Sequence, residues 1–226
     1  MTFSILGLCR RTGRYGVALA TSSIGAGARC PFVKPGVGVI VTQARTDPRL
    51  GPIGIDLMES GMDAGAVVKH VSEAMLDMEW RQFAALDPSG GAAFHSGASV
   101  GQPADGMVVK DGVVVGNWVT SESVIAAMAS GFELNPGDDL ADRLLQSIQA
   151  GLEEGGEKDP LQSAALIIVD PAVPFPVIDL RVDLSGTPIA DLRVAWERWA
   201  PLADGYVQRA LDPSAAPDTR TLEGHA

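Results

Sequence analysis

Apolar positions recur along this chain with two periods. Phe3 to Cys9, carrying Ile5, Leu6 and Leu8, reads as a strand, and Gly16 to Thr21 (GVALAT) as a second. Arg11-Thr12-Gly13-Arg14 between them reads as a turn with a glycine for positive φ, so the pair forms a hairpin. A glycine-rich loop, Gly25-Ala26-Gly27-Ala28, lacks the Gly-Lys-Ser/Thr ending of a phosphate loop. Gly36 to Thr42 (GVGVIVT) is apolar on both faces, as a buried central strand should be. The period then lengthens. Gly54 to Ser60 reads as a short helix, and Asp63 to Met75 as a longer one with an aspartate N-cap. Two hairpins follow, Gln82–Leu86 with Ala92–His95 and Met107–Val109 with Val113–Val115. Ser121 to Ser130 is a helix. Asp138 to Glu154 is the clearest one, with Leu140, Leu144, Ile148 and Leu152 on one face and Gly155-Gly156 as its stop. Ala164–Val169 and Val177–Val182 read as strands, and Pro188–Arg198 as a last helix. From Pro213 the chain has no period and reads as a frayed tail.

Strands and helices come in runs rather than in strict alternation. That order disfavours a doubly wound parallel sheet. It favours an α+β fold of two mainly antiparallel sheets packed together with helices outside each, as one domain over 1–212 and a tail over 213–226.

Composition narrows the function classes. Of 226 residues, 46% are hydrophobic, enough for a large core and too many for a disordered chain. The formal net charge of −11 argues against a general nucleic-acid binder, which needs a basic face for phosphates. No apolar run approaches a membrane span, and no charged leader precedes an apolar stretch, so a cytoplasmic protein is expected. Cys9 and Cys30 match no zinc spacing and read as buried thiols. His70, His95 and His225 are too scattered for a histidine-rich metal site.

The candidate chemistry begins at Thr2. Initiator methionine is normally removed before a small residue such as threonine, which would leave Thr2 with a free α-amine at a strand start. An α-amine has a pKa near ~7.7–8.0, so it can take the hydroxyl proton of its own residue near neutral pH. One residue then supplies nucleophile and base. The alternative is an ordinary strand threonine.

The arrangement resembles the threonine branch of the N-terminal-nucleophile (Ntn) hydrolases, represented by proteasome β subunits. There the nucleophile opens the first strand of a hairpin, a polar residue closes the second, and a lysine follows about thirty residues on. Thr2, Thr21-Ser22-Ser23 and Lys34 occupy these places, with Ser22 where that branch has aspartate. A closer resemblance covers most of the chain. It rests on Thr2-Phe3-Ser4-Ile5, Gly36-Val37-Gly38 running into Thr42-Gln43-Ala44, Arg81-Gln82, His95-Ser96-Gly97, Gly116-Asn117, Gln162-Ser163-Ala164-Ala165 and Leu180-Arg181-Val182-Asp183. These motifs are similar to domain-of-unknown-function family 1028, regarded as Ntn-hydrolase-like. The sequence departs from that pattern at Glu157-Lys158-Asp159-Pro160 and at Trp118.

The resemblance implies a four-layer αββα sandwich and an amidohydrolase acting on a small-molecule amide. In that reading Thr2 attacks, its amine shuttles the proton, Lys34 tunes the hydroxyl and Asn117 holds the oxyanion. Ser22, Thr42, Gln43, His95, Gly116 and Ser163 would line or orient the substrate. No metal or organic cofactor is required, and the expected partners are a small substrate and a second copy in a homodimer, with no nucleic acid and no membrane. Lys34 also reads as a solvated loop charge, Asn117 as a turn residue and His95 as a structural histidine. A second reading keeps the fold as a binding or scaffold protein without turnover.

Overall fold

The computed structural model describes residues 1–224; His225 and Ala226, and with them the end of the expected 213–226 tail, lie outside the described residues. Two antiparallel sheets carry the molecule. Strands β1 (Thr2–Leu8), β2 (Tyr15–Thr21), β7 (Ala104–Val109), β8 (Gly112–Asn117), β9 (Ser163–Val169) and β10 (Pro176–Val182) form a six-stranded sheet ordered β10-β9-β2-β1-β8-β7. Strands β3 (Pro31–Lys34), β4 (Gly38–Ala44), β5 (Arg81–Leu86) and β6 (Ala92–Ser96) form a four-stranded sheet in chain order. Every strand pair is antiparallel. The three expected hairpins are present as β1–β2, β5–β6 and β7–β8.

Side-chain alternation builds the layers. On β1, Phe3 and Ile5 face helices α3 (Ser123–Glu133), α4 (Leu140–Glu153) and α5 (Pro188–Trp199), while Leu6 and Leu8 face the other sheet. On β4, Val39 and Val41 face inward between the sheets, while Ile40 faces α1 (Leu50–Glu59) and α2 (Ala64–Ala74). The order is helix, sheet, sheet, helix, the αββα sandwich that the resemblance implies.

Several elements differ from expectation. Strand β3 has four residues and carries no period of its own; it exists because it pairs with β4 from Pro31↔Val41 to Lys34↔Gly38. Helix α1 begins at Leu50 rather than Gly54, since Pro52 lies in the first turn, where its missing N–H costs nothing. Helix α6 (Ala203–Leu211) carries Tyr206, Val207, Ala210 and Leu211 at helical spacing, with Val207 packed against the core, and α7 (Thr219–Leu222) is a short helix; neither has a buried residue and neither is among the expected elements. Helix α4 keeps its expected face, with Asp139 rather than Asp138 as cap: its side chain accepts from the Ala141 N–H. Gly155 and Gly156, at φ 122° and 59°, end it. No helix among the described residues is long and apolar enough to cross a membrane.

Candidate functional site

The space between the sheets is apolar along most of its length and polar at one end. Continuing the alternation of each strand, Thr2 and Ser4 follow Leu6 on β1, Thr21 follows Leu19 on β2, Asn117 follows Val115 on β8, and Gln43 follows Val41 on β4. Gln82 follows Ala84 on β5 in the same way. All six are buried. Registers Thr2↔Asn117 and Gln43↔Gln82 bring them together.

Buried polar groups must find partners, and these do so through one amide cluster. Gln43 Nε2 and Asn117 Nδ2 each donate to the Thr2 carbonyl at 3.2 Å. Both also donate to Gln82 Oε1, at 2.6 Å and 3.0 Å. Ser4 Oγ donates to Gln43 Oε1 at 2.6 Å. Gln82 Nε2 reaches Ser96 Oγ at 2.6 Å and the Gly116 carbonyl at 2.9 Å. Two side-chain amides, one from each sheet, therefore hold the Thr2 carbonyl, and Gln82 holds both of them.

Thr2 itself is 4% exposed, covered by Met1. Its Oγ1 donates to the Met1 carbonyl, which also accepts from Thr21 Oγ1 at 2.6 Å. Met1 and Asn117 line a cavity of about 270 Å³, with Arg45, Trp80, Trp118 and the Ser99–Gly101 loop as its other walls. Larger clefts, of about 670 Å³ and 410 Å³, lie against α4 and do not include Thr2 or its partners.

Two carboxylates, Glu157 and Asp159, act on the terminal amine at this end. Glu157 is buried, and its Oε2 accepts from the Ser22 N–H at 3.0 Å while Oε1 has no hydrogen-bond partner. Burial pushes its pKa up to about 7, with the Ser22 contacts and the terminal amine pulling the other way. The terminal amine is shifted down by its own burial, and Glu157 is the charge that opposes this most.

The expected site residues separate into groups. Thr2, Gln43 and Asn117 meet, as above. Asn117, however, spends both amide hydrogens on Thr2 and Gln82, so it positions the Thr2 backbone and has none left for an oxyanion. Ser22 borders the group through Glu157 and a 3.5 Å contact with Met1 Sδ. Gly116 supplies a carbonyl to Gln82, and a Cβ there would meet Ile125 at 2.8 Å. Ser163 instead fixes the loop after β2, donating to the Ser23 carbonyl at 2.7 Å and accepting from the Ala26 N–H at 3.2 Å.

Three residues lie elsewhere. Lys34 pairs with Gly38, five residues along β4 from Gln43, or ~17 Å at ~3.3 Å per residue. Its ammonium is exposed and bound to Glu59 at 2.6 Å, so it does not tune Thr2. Thr42 precedes Gln43, and the two-residue period turns it to the helix face with Ile40, where its Oγ1 has no partner. His95 shares the helix face with its partner Phe83, and its Nε2 lies 3.0 Å from the Met78 carbonyl. Sequence reasoning gave no role to Gln82, Glu157 or Arg45. The available signal was polarity inside otherwise apolar strands, strongest at Gln82.

The family model described as "Family of unknown function (DUF1028)" matches residues 2–192. The chain belongs to this family. A crystal structure from Silicibacter pomeroyi, of a protein assigned to the same family model, is similar with a TM-score of 0.81 and 28% identity, covering 88% of this chain and 89% of that one. The ancestral β-subunit Anbu from Yersinia bercovieri aligns with a TM-score of 0.41 and 12% identity, over 91% of this chain and 97% of that one. No curated protein matches.

Proposed function

We propose that this protein is an N-terminal-nucleophile amidohydrolase that cleaves a small-molecule amide with Thr2 once Met1 is removed. The observation that carries this reading is the amide clamp on the Thr2 carbonyl, one member of which, Asn117, lines a cavity together with Met1. Two buried amides on one threonine carbonyl, held in turn by a third, are more than a strand needs for pairing, and preorganisation of a reacting group is the use that explains them.

Removal of Met1 takes away the carbonyl that binds the Thr2 hydroxyl and leaves an amine on the same residue. That amine accepts the Oγ1 proton as Oγ1 attacks the substrate carbonyl. The tetrahedral adduct collapses to a threonyl ester, and the departing amine takes the proton from the α-ammonium. Water then attacks the ester, the α-amine accepts its proton, and the acid and free Thr2 are released. Glu157, the charge that most opposes the downward shift of the Met1 amine, would favour the protonated form of the Thr2 amine in the same way.

The test is intact mass followed by labelling. Purified protein is expected to lack one methionine, and a β-lactone probe is expected to add to wild type and Thr2→Ser but not to Thr2→Ala. Labelling that persists in Thr2→Ala removes Thr2 as nucleophile. Full retention of Met1 supports the binding or scaffold reading instead.

A further inference from the structure

The rim of the cavity carries a cation and two partly exposed aromatic rings. Arg45 follows Ala44, whose φ of 71° breaks the alternation of β4 as the strand ends. The Arg45 guanidinium lies over the Trp80 ring, 4.2 Å from its centroid. Its neighbours Arg49 and Arg81 share Asp47, at 2.7 Å and 3.8 Å. No carboxylate among the described residues forms an ion pair with Arg45. A guanidinium stacked by its face still offers its N–H edge, and that planar fork matches a carboxylate.

Trp118 holds a left-handed backbone at φ 57°, costly for a bulky residue. Its backbone N–H donates to the Gly101 carbonyl at 2.8 Å, its indole N–H reaches Asp159 at 3.0 Å, and Lys158 lies over its ring. The ring is thus fixed from several sides, yet it stays 37% exposed, and Trp80 36%. Each ring is covered on one face by a cation, and the area it leaves exposed beside the cavity suits the apolar part of an organic anion.

The net charge of −11 repels anions at long range. Within the Debye length of about 8 Å the nearest charge dominates, and the cation lining this cavity is Arg45. Asn117, which holds the Thr2 carbonyl, lines the same cavity beside Trp118.

We infer that the occupant of this cavity is a small amide bearing a carboxylate, with its anion on the N–H edge of Arg45 and its apolar part against the exposed area of Trp80 and Trp118. The inference rests on the reading of Thr2 as nucleophile for where the amide goes, but the anion preference is tested without turnover. The probes are N-benzoylglycine and its neutral amide, measured by calorimetry on Met1-free protein and on its Thr2→Ala form. The carboxylate is expected to bind about tenfold more tightly than the amide in both forms. Arg45→Gln is expected to erase that difference, Arg45→Lys to keep part of it, and Trp80→Ala to weaken both probes. Equal binding of the two probes, no binding of the carboxylate at millimolar concentration, or a preference that survives Arg45→Gln overturns the inference. Failure of β-lactone labelling alone sinks the nucleophile and leaves the anion preference standing.

Discussion

Gln82 accepts from Gln43 and Asn117 through one oxygen and gives its amide hydrogens to Ser96 and to the Asp105 and Gly116 carbonyls. Truncation would leave several buried partners unpaired, each at about 1–3 kcal/mol. Gln82→Ala is expected to lower unfolding free energy by roughly 3 kcal/mol or more, read from the urea midpoint. Glu157 makes a second prediction, in pH. Its folded pKa of about 7 lies above its ordinary value of 4.5, so the folded state holds its proton more tightly than the unfolded state. Its contribution to stability is complete below pH 4.5 and is lost as pH rises through about 7. The terminal amine, shifted down, acts in the opposite direction nearer pH 8. Comparison with Glu157→Gln isolates the carboxylate: the variant's melting temperature should rise relative to wild type between pH 5 and pH 8. A constant difference across that range would show that Glu157 does not titrate there. Neither role was legible in the residues alone. The sequence shows Gln82 beside Arg81 and Glu157 beside Lys158, but a hydrogen bond between strands far apart in the chain leaves no local spacing to read.

Helix α1 lies directly on the four-stranded sheet because two of its residues have no side chain. A Cβ on Gly51 would stand 2.1 Å from the Phe32 ring, and one on Gly54 would stand 2.9 Å from Ile40. Alanine is worth about 1 kcal/mol more than glycine in a free helix. The clash outweighs that gain, since Phe32 belongs to β3 and is packed against the same cluster. Gly51→Ala is expected to destabilise by about 1–2 kcal/mol in chemical unfolding. A stabilised variant would mean that β3 shifts freely. The elements that could be read in advance share this dependence on burial. Helix α4 announces itself through Leu140, Leu144 and Ile148, all buried, whereas β3 is too short to show a period and α6, for all its spaced apolar residues, buries none of them.

At the scale of the molecule, the two ends of the chain behave differently. The N-terminal strand is central in the larger sheet, paired with β2 and β8 over its length. The C-terminal helices lie beyond the family match, which ends at residue 192, and contribute no buried residue. Tyr206 stacks on Trp199 with centroids 4.8 Å apart, and Leu222 reaches Gly205. A chain ending at Asp212 is expected to unfold within about 0.5 kcal/mol of the full chain. A larger loss would give α7 a structural role. The period of apolar residues was enough to fix the hairpins, the strongest helix and the layered α+β class, because those features follow from local alternation and burial. Alternation also contained the face assignments of Thr42 and Gln43, once the strand was known. Which strand ends would meet required the sheets to be stacked in register. That stacking brought Gln82 to the two amides that hold Thr2 and Glu157 to Ser22, and it left Lys34 on β3 opposite the far end of β4 and His95 on the outer face. A sheet joins residues distant in sequence at spacings set by its register, and no run of neighbouring residues records them.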